Sequence, residues 1–277
     1  MLRLLQIEAI KLWNNRASRV LIIAYFVLLT TIALIAAIKF DIGPVKFHLA
    51  EQGIFNFPYI WHFNTFIAAW FKLFLAVVIV SMMANEYSNK TIKQNLIDGL
   101  SKKEFIGSKF LTVLVFSAVS TAFVAIMSLI LGYAYSDFTE FNVVFRDLEF
   151  LLAYFVKHLG FFSFCLFLGI LVKRSAFALG FLVLWQFFEG FVRGMVRWKV
   201  LDSDGTDTLM SFFPLQSMFN LIDEPFTRLG AVKSIADQLD TSLELDYAVT
   251  PLKLIIVLAW TAFFIWASYK LLKRRDL

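Results

Sequence analysis

Apolar residues run along this chain in long unbroken blocks separated by short polar stretches. The blocks cover 20–38, 63–83, 110–135, 150–172, 176–192 and 252–272. Each is close to the roughly 20 residues that a helix needs to cross a hydrocarbon core. The runs are continuous, not alternating. Backbone exposed to lipid must satisfy its hydrogen bonds internally, which leaves helices or closed barrels, and the alternating ten-residue segments of a barrel are absent. The pattern predicts an all-α integral membrane protein of six spans, with a single transmembrane domain over 1–277.

Two flanking regions carry their own pattern. Over 1–19, Leu2, Leu5, Ile10 and Trp13 fall near one helical face, with Lys11 and Arg16 at its edge. This reads either as an interfacial helix lying along the membrane or as an extension of the first span. Charges at Arg3, Glu8, Lys11, Arg16 and Arg19 are spread too widely for a cleaved secretory signal. Segment 193–251 separates the fifth span from the sixth. Within it, 211–222 is apolar through Phe212, Phe213, Leu215, Met218 and Phe219, yet too short to cross. It predicts short re-entrant or interfacial helices before the last span, followed by an acid-rich lobe with Asp237, Asp240, Glu244 and Asp246.

Composition strengthens the membrane reading. The chain has 277 residues, of which 60% are hydrophobic and 17% charged, against about 45–50% apolar and about 25% charged in a soluble domain. The net charge of +5 serves as orientation information, not as a sign of nucleic-acid binding, because Lys and Arg concentrate on loops that stay in the cytoplasm. The N-terminus, 84–109, the Lys173-Arg174 turn and the C-terminus are all rich in Lys and Arg. The opposite loops carry only Lys39, Lys46 and Arg146 in their short members and many acids in the long one. Both termini are therefore expected in the cytoplasm, with the chain multi-pass in the plasma (inner) membrane. Cys165 is the single cysteine, so neither an intrachain disulfide nor a cysteine zinc cluster is available. His48, His62 and His158 are scattered and read as packing or interfacial residues.

The loop over 84–109 holds the densest local signal. A polar, helix-compatible stretch from Glu86 to Leu96 is followed by a break at Gly99 and by Ser101-Lys102-Lys103-Glu104, a Ser-x-x-Glu capping box that opens the next helix. The expected unit is a short helix, a turn and a capped re-entry into the third span. Its bland alternative is a solvated basic linker.

This loop resembles that of the type-2 ABC transporter permeases. The resemblance rests on Glu86-Tyr87-Ser88-Asn89-Lys90-Thr91-Ile92, on Asn95-Leu96-Ile97-Asp98-Gly99-Leu100-Ser101-Lys102-Lys103-Glu104-Phe105 and on Lys109. Gln6-Ile7-Glu8-Ala9-Ile10-Lys11-Leu12 and Phe213-Pro214-Leu215 look similar as well, so it spans the chain in order. Lys90 stands where that family usually has glycine, and Gly99 where it usually has proline. The resemblance implies the transmembrane subunit of an exporter whose loop docks on a separate ATPase, through Glu86, Tyr87, Asn89, Lys90, Thr91, Lys93, Asp98, Ser101 and Glu104. It also implies a second copy of this or a related permease subunit, with ATP and Mg held by the partner ATPase and no cofactor on this chain. The sequence has no Gly-x-x-x-x-Gly-Lys-[Ser/Thr] phosphate loop, nor the motifs of a zinc protease or a serine hydrolase. No enzymatic activity of its own is expected.

Charges inside the spans are the remaining candidates, since ionisable groups in lipid are costly and default to function. Lys72 falls midway along the second span, as a pathway residue or as a side chain snorkelling to the interface, with Trp61 and Trp70 as aromatic-belt candidates. Glu189, Arg193 and Arg197 follow at i, i+4 and i+8 near the end of the fifth span, as a gate or a local ion pair. Gly190 and Gly194 form a Gly-x-x-x-Gly suited to helix contact. An ATP-independent transporter or channel, and a membrane assembly scaffold, are the competing readings.

Overall fold

The computed structural model describes residues 2–38, 40–42, 45–47, 50–199, 202–230, 232, 234 and 247–275. The expected acid-rich lobe, with Asp237, Asp240, Glu244 and Asp246, lies outside the described residues, as do Lys39 and His48.

Twelve α-helices occur among the described residues, numbered here in chain order. They are α1 (Leu2–Asn14), α2 (Arg16–Ala37), α3 (Tyr59–Trp70), α4 (Lys72–Ser88), α5 (Thr91–Ile97) and α6 (Lys102–Tyr135). Then follow α7 (Phe141–Val144), α8 (Glu149–Val172), α9 (Ser175–Lys199), α10 (Ser203–Met210), α11 (Pro214–Phe219) and α12 (Pro251–Lys273). A small antiparallel hairpin of β1 (Phe40–Ile42) and β2 (Val45–Phe47) lies between α2 and α3, pairing Asp41 with Lys46. It is the one departure from the all-α expectation.

Among the described residues, five helical stretches are long and apolar enough to cross a membrane: α2, α6, α8 with the short α7 before it, α9 and α12. A sixth stretch is divided. α3 and α4 pass the same test only as a pair, and they meet at a 46° bend beside Phe71. The protein is thus a multi-pass all-α membrane protein. Its second expected span, 63–83, is a broken helix. The break falls at a phenylalanine just before Lys72, the one charge that interrupts this apolar run, with neither proline nor glycine to mark it.

α1 and α2 are separate helices. Asn15 turns the chain between them in an extended conformation, and its side chain caps α2 by accepting from the Ser18 amide at 3.1 Å. This is a strong N-cap, so the first span starts at α2 and is not a continuation of α1. Leu2, Ile10 and Trp13 are exposed on α1, while Glu8 and Leu12 are buried.

The bundle is built around α8, which touches α12, α4, α6, α9 and α3. Most of its residues from Phe150 to Ile170 are buried, whereas α2, α9 and α12 keep broad apolar faces outward. Lipid is as apolar as leucine, so such helices associate by close packing and by hydrogen bonds between them. Both are present. Tyr25 on α2, Ser120 on α6 and Tyr154 on α8 share their hydroxyl protons, with Tyr25 and Tyr154 oxygens 2.9 Å apart. Asn64 on α3 donates to Ser128 on α6 at 2.8 Å.

One close backbone approach lies at Gly169 on α8, against α4. A Cβ placed there would stand 2.9 Å from the Met83 Cβ and 3.3 Å from the Val80 carbonyl of α4. Gly169→Ala must therefore push α4 off α8, at a cost of about 1–3 kcal/mol. Gly190→Ala meets nothing within 4 Å and serves as the control. Thermal unfolding of the two variants in detergent should show a lower midpoint for the first and little change for the second.

Candidate functional site

The ends of α4, α6, α8 and α12 gather beside α1 at one end of the bundle. Lys109, on α6, is fully buried there. Its Nζ donates to Glu8 Oε2 of α1 at 2.6 Å and to Glu86 Oε1 of α4 at 2.7 Å. Lys11, one turn after Glu8, donates to the same Glu86 Oε1 at 2.9 Å and stands 3.7 Å from Glu8. Thr91 opens α5 and donates its hydroxyl to Glu86 Oε2. Two carboxylates and two ammonium groups make the cluster neutral, so burial leaves no net charge uncompensated. Burial alone would lower the pKa of Lys11, but its hydrogen bond to Glu86 and the charge of Glu8 raise it above the ordinary 10.5. Its contribution is thus fully present below that value and is lost only as pH rises through the elevated one.

From this cluster the chain turns outward. Asn89 and Lys90 are exposed, and Lys90 takes a left-handed conformation with φ 55°. This is a position where glycine would be free of strain. α5 then runs to Ile97, and Gly99 reverses the chain at φ +94°. Proline is confined near φ −65°, so it could not take the place of Gly99 in this turn. The capping box forms as expected: Ser101 Oγ accepts from the Glu104 amide at 3.2 Å, and the Glu104 carboxylate accepts from the Ser101 amide at 3.0 Å. Ile92 is buried under α5, whereas Lys93, Asp98 and Ile97 face outward, Ile97 being 69% exposed.

A second tie comes from the end of the chain. Arg275 donates to the Tyr87 hydroxyl at 2.8 Å and to the carbonyls of Ile170 and Leu171 at 2.5 and 3.0 Å. It thereby satisfies carbonyls left free at the end of α8. Lys102 donates to the Arg275 carbonyl at 2.9 Å.

The other sequence candidates lie elsewhere. Glu189 is buried but does not pair with Arg193. It accepts from Trp185 Nε1 at 2.7 Å and from the Leu215 and Gln216 amides at 3.0 and 2.8 Å, fastening α11 to α9. Arg193 pairs with Asp207 of α10 at 2.7 Å, and Arg197 is exposed. A Cβ at Gly190 or Gly194 meets nothing within 4 Å in this chain. Lys72 begins α4 at the break in the second span, over the Phe161 ring. Trp61 is buried and donates to the Val144 carbonyl at 2.8 Å, and Trp70 is exposed. His62 stacks on Phe150, and His158 bonds the Tyr154 carbonyl at 2.9 Å. Cys165 is buried and free.

The sequence reading named Glu86 and Thr91 but gave no site role to Glu8, Lys109, Lys11 or Arg275. The available signal was Lys109 at the head of a span and Glu8 on the otherwise apolar side of α1.

These features define a class: a multi-pass all-α membrane protein wrapped on one buried helix, with a buried charge cluster supporting a short helix at one end. Residues 21–277 match the family described as protein of unknown function (DUF2705), and the chain belongs to that family. No curated protein matches the chain.

Removing one partner of a buried ion cluster strands the others and costs about 3–5 kcal/mol. Lys109→Met should therefore lower the thermal midpoint sharply. Glu86→Gln with Lys109→Met together should recover most of it, since Glu8 and Lys11 then remain as a pair, 3.7 Å apart. An unchanged midpoint for Lys109→Met would show that the cluster carries no stability.

Proposed function

We propose that this chain is the membrane subunit of an ATP-binding-cassette transporter, an exporter in which a separate ATPase chain pushes on α5. The observation that carries the reading is the exposed α5 itself. It is joined through Thr91 and Glu86 to a cluster that binds α1, α4 and α6 together. A displacement of α5 would be passed to three membrane helices as a rigid-body shift. The sequence resemblance of this loop to type-2 permeases points the same way, and so does the lack of a phosphate loop in the sequence. On this reading ATP and Mg sit on the ATPase, and a second permease copy completes the pathway. The chain then has six spans, the broken α3–α4 pair counting as one. α5 and both termini face the cytoplasm of a plasma membrane, as the bias of Lys and Arg requires.

The broken span favours a second reading. Discontinuous helices near a binding site are a feature of secondary transporters, so ATP-independent transport is the alternative.

Two experiments test the proposal. In a Cys165→Ser background, Asp98→Cys should resist a membrane-impermeant maleimide in intact cells and Thr208→Cys should react. The reverse labelling would invert the topology. Tagged full-length chain purified from its native membranes should bring down an ATPase. Ile97→Asp should weaken that association roughly tenfold or more while leaving the thermal midpoint near that of the wild type. Activity in liposomes without any ATPase would sink the proposal in favour of the alternative.

A further inference from the structure

Where α3 breaks from α4, a cleft of about 450 Å³ opens on the side of the bundle. Phe66, Trp70, Leu73, Phe161, Leu182 and Phe187 form its apolar walls. Trp70 and Phe187 are 63% and 71% exposed, so the mouth faces sideways, toward the hydrocarbon of a bilayer, and not along the bundle axis.

Two ammonium groups line this apolar space. Lys72 Nζ stands 4.4 Å from the Phe161 ring centroid. Lys157 is buried, donates to the Phe219 carbonyl at 3.2 Å and lies 5.4 Å from the Phe219 ring centroid. Among the described residues, no carboxylate lies within 4 Å of either, whereas the nearby Asp223 pairs with Lys253 at 3.2 Å. A lysine ammonium has three donors, and one carbonyl and two ring faces leave most of them unused. An unpaired cation at membrane depth is expensive to keep. α4 begins at Lys72, so the positive end of its dipole adds to the same region. Broken membrane helices direct such ends at anionic groups.

Positive charge without an acidic partner selects an anion, and the aromatic and aliphatic walls select a hydrocarbon chain. We propose that this cleft binds an amphiphile with an anionic phosphate or carboxylate headgroup, the headgroup on Lys72 and Lys157 and the chain along Trp70, Leu73 and Phe187. The site depends on the chain lying in a membrane and not on any ATPase, so it stands or falls separately from the transporter reading.

The test uses full-length protein in a neutral maltoside detergent, with binding followed by native mass spectrometry. The probes are dodecyl phosphate, dodecylphosphocholine of equal chain length, and inorganic phosphate. The wild type should hold dodecyl phosphate about tenfold more tightly than either of the others, the scale of one charge-assisted hydrogen bond. Lys72→Gln with Lys157→Gln should abolish that preference, and Lys72→Arg with Lys157→Arg should keep it. Should the buried Lys157→Gln change prevent folding, Lys72→Gln alone should still reduce the preference. In phosphatidylcholine nanodiscs, competition by added phosphatidylglycerol assigns the site to a bilayer lipid. Binding of dodecyl phosphate without that competition assigns it to a soluble amphiphile. Equal affinity for the two amphiphiles, or a preference unchanged in Lys72→Gln, overturns the proposal. Inorganic phosphate held as tightly as dodecyl phosphate overturns its hydrocarbon part.

Discussion

Lys109 holds its charge away from water only because two carboxylates reach it from helices far apart in sequence. Glu8 comes from α1 and Glu86 from the end of α4. Each of the three would be a costly lone charge without the others, so α1, α4 and α6 are required to meet at this point. That requirement fixes more than the cluster. It turns Glu8 inward and so leaves Leu2, Ile10 and Trp13 on the outward side of α1. It also sets the separation of the α4 and α6 ends, which the chain spans through α5 and its two turns.

Above the cluster, cohesion comes from α8. In a bilayer the spans gain little by hiding apolar surface from lipid, and the contacts that count are close approach and shared hydrogen bonds. Gly169 supplies the first, letting α4 ride against α8. The Tyr25, Ser120 and Tyr154 hydroxyls supply the second by joining α2, α6 and α8. Arg275 then draws the end of the last helix onto the ends of α4 and α8. The polar groups thus lie where helices meet, and the outward faces are left apolar.

The spans were legible in the sequence because hydropathy over some twenty residues is a local quantity set directly by the bilayer. The Ser101–Glu104 cap was legible for the same reason, since its two bonds span three residues. The break at Phe71 was not, because the only mark beside it is Lys72, and a single charge in a span does not encode a bend as a proline would. Nor was the partner choice of charged side chains. Glu189 and Arg193 share a helical face at the spacing of an ion pair, yet tertiary packing offers Glu189 two free amides of α11 and Arg193 a carboxylate of α10. Lys109 lies 101 residues from Glu8 and 23 from Glu86, separations that no local pattern encodes.

α6 is one uninterrupted helix of 34 residues, about 51 Å long at 1.5 Å per residue. The hydrocarbon core it crosses is only about 30 Å thick. It is therefore much longer than that core, with the Lys109 cluster near one end and Tyr135 at the other. Tilting such a rod by about 5° about its base would swing the far tip by about 4 Å. A nudge too small to disturb any hydrogen bond at the cluster would be magnified into a sizeable sweep on the opposite face of the membrane.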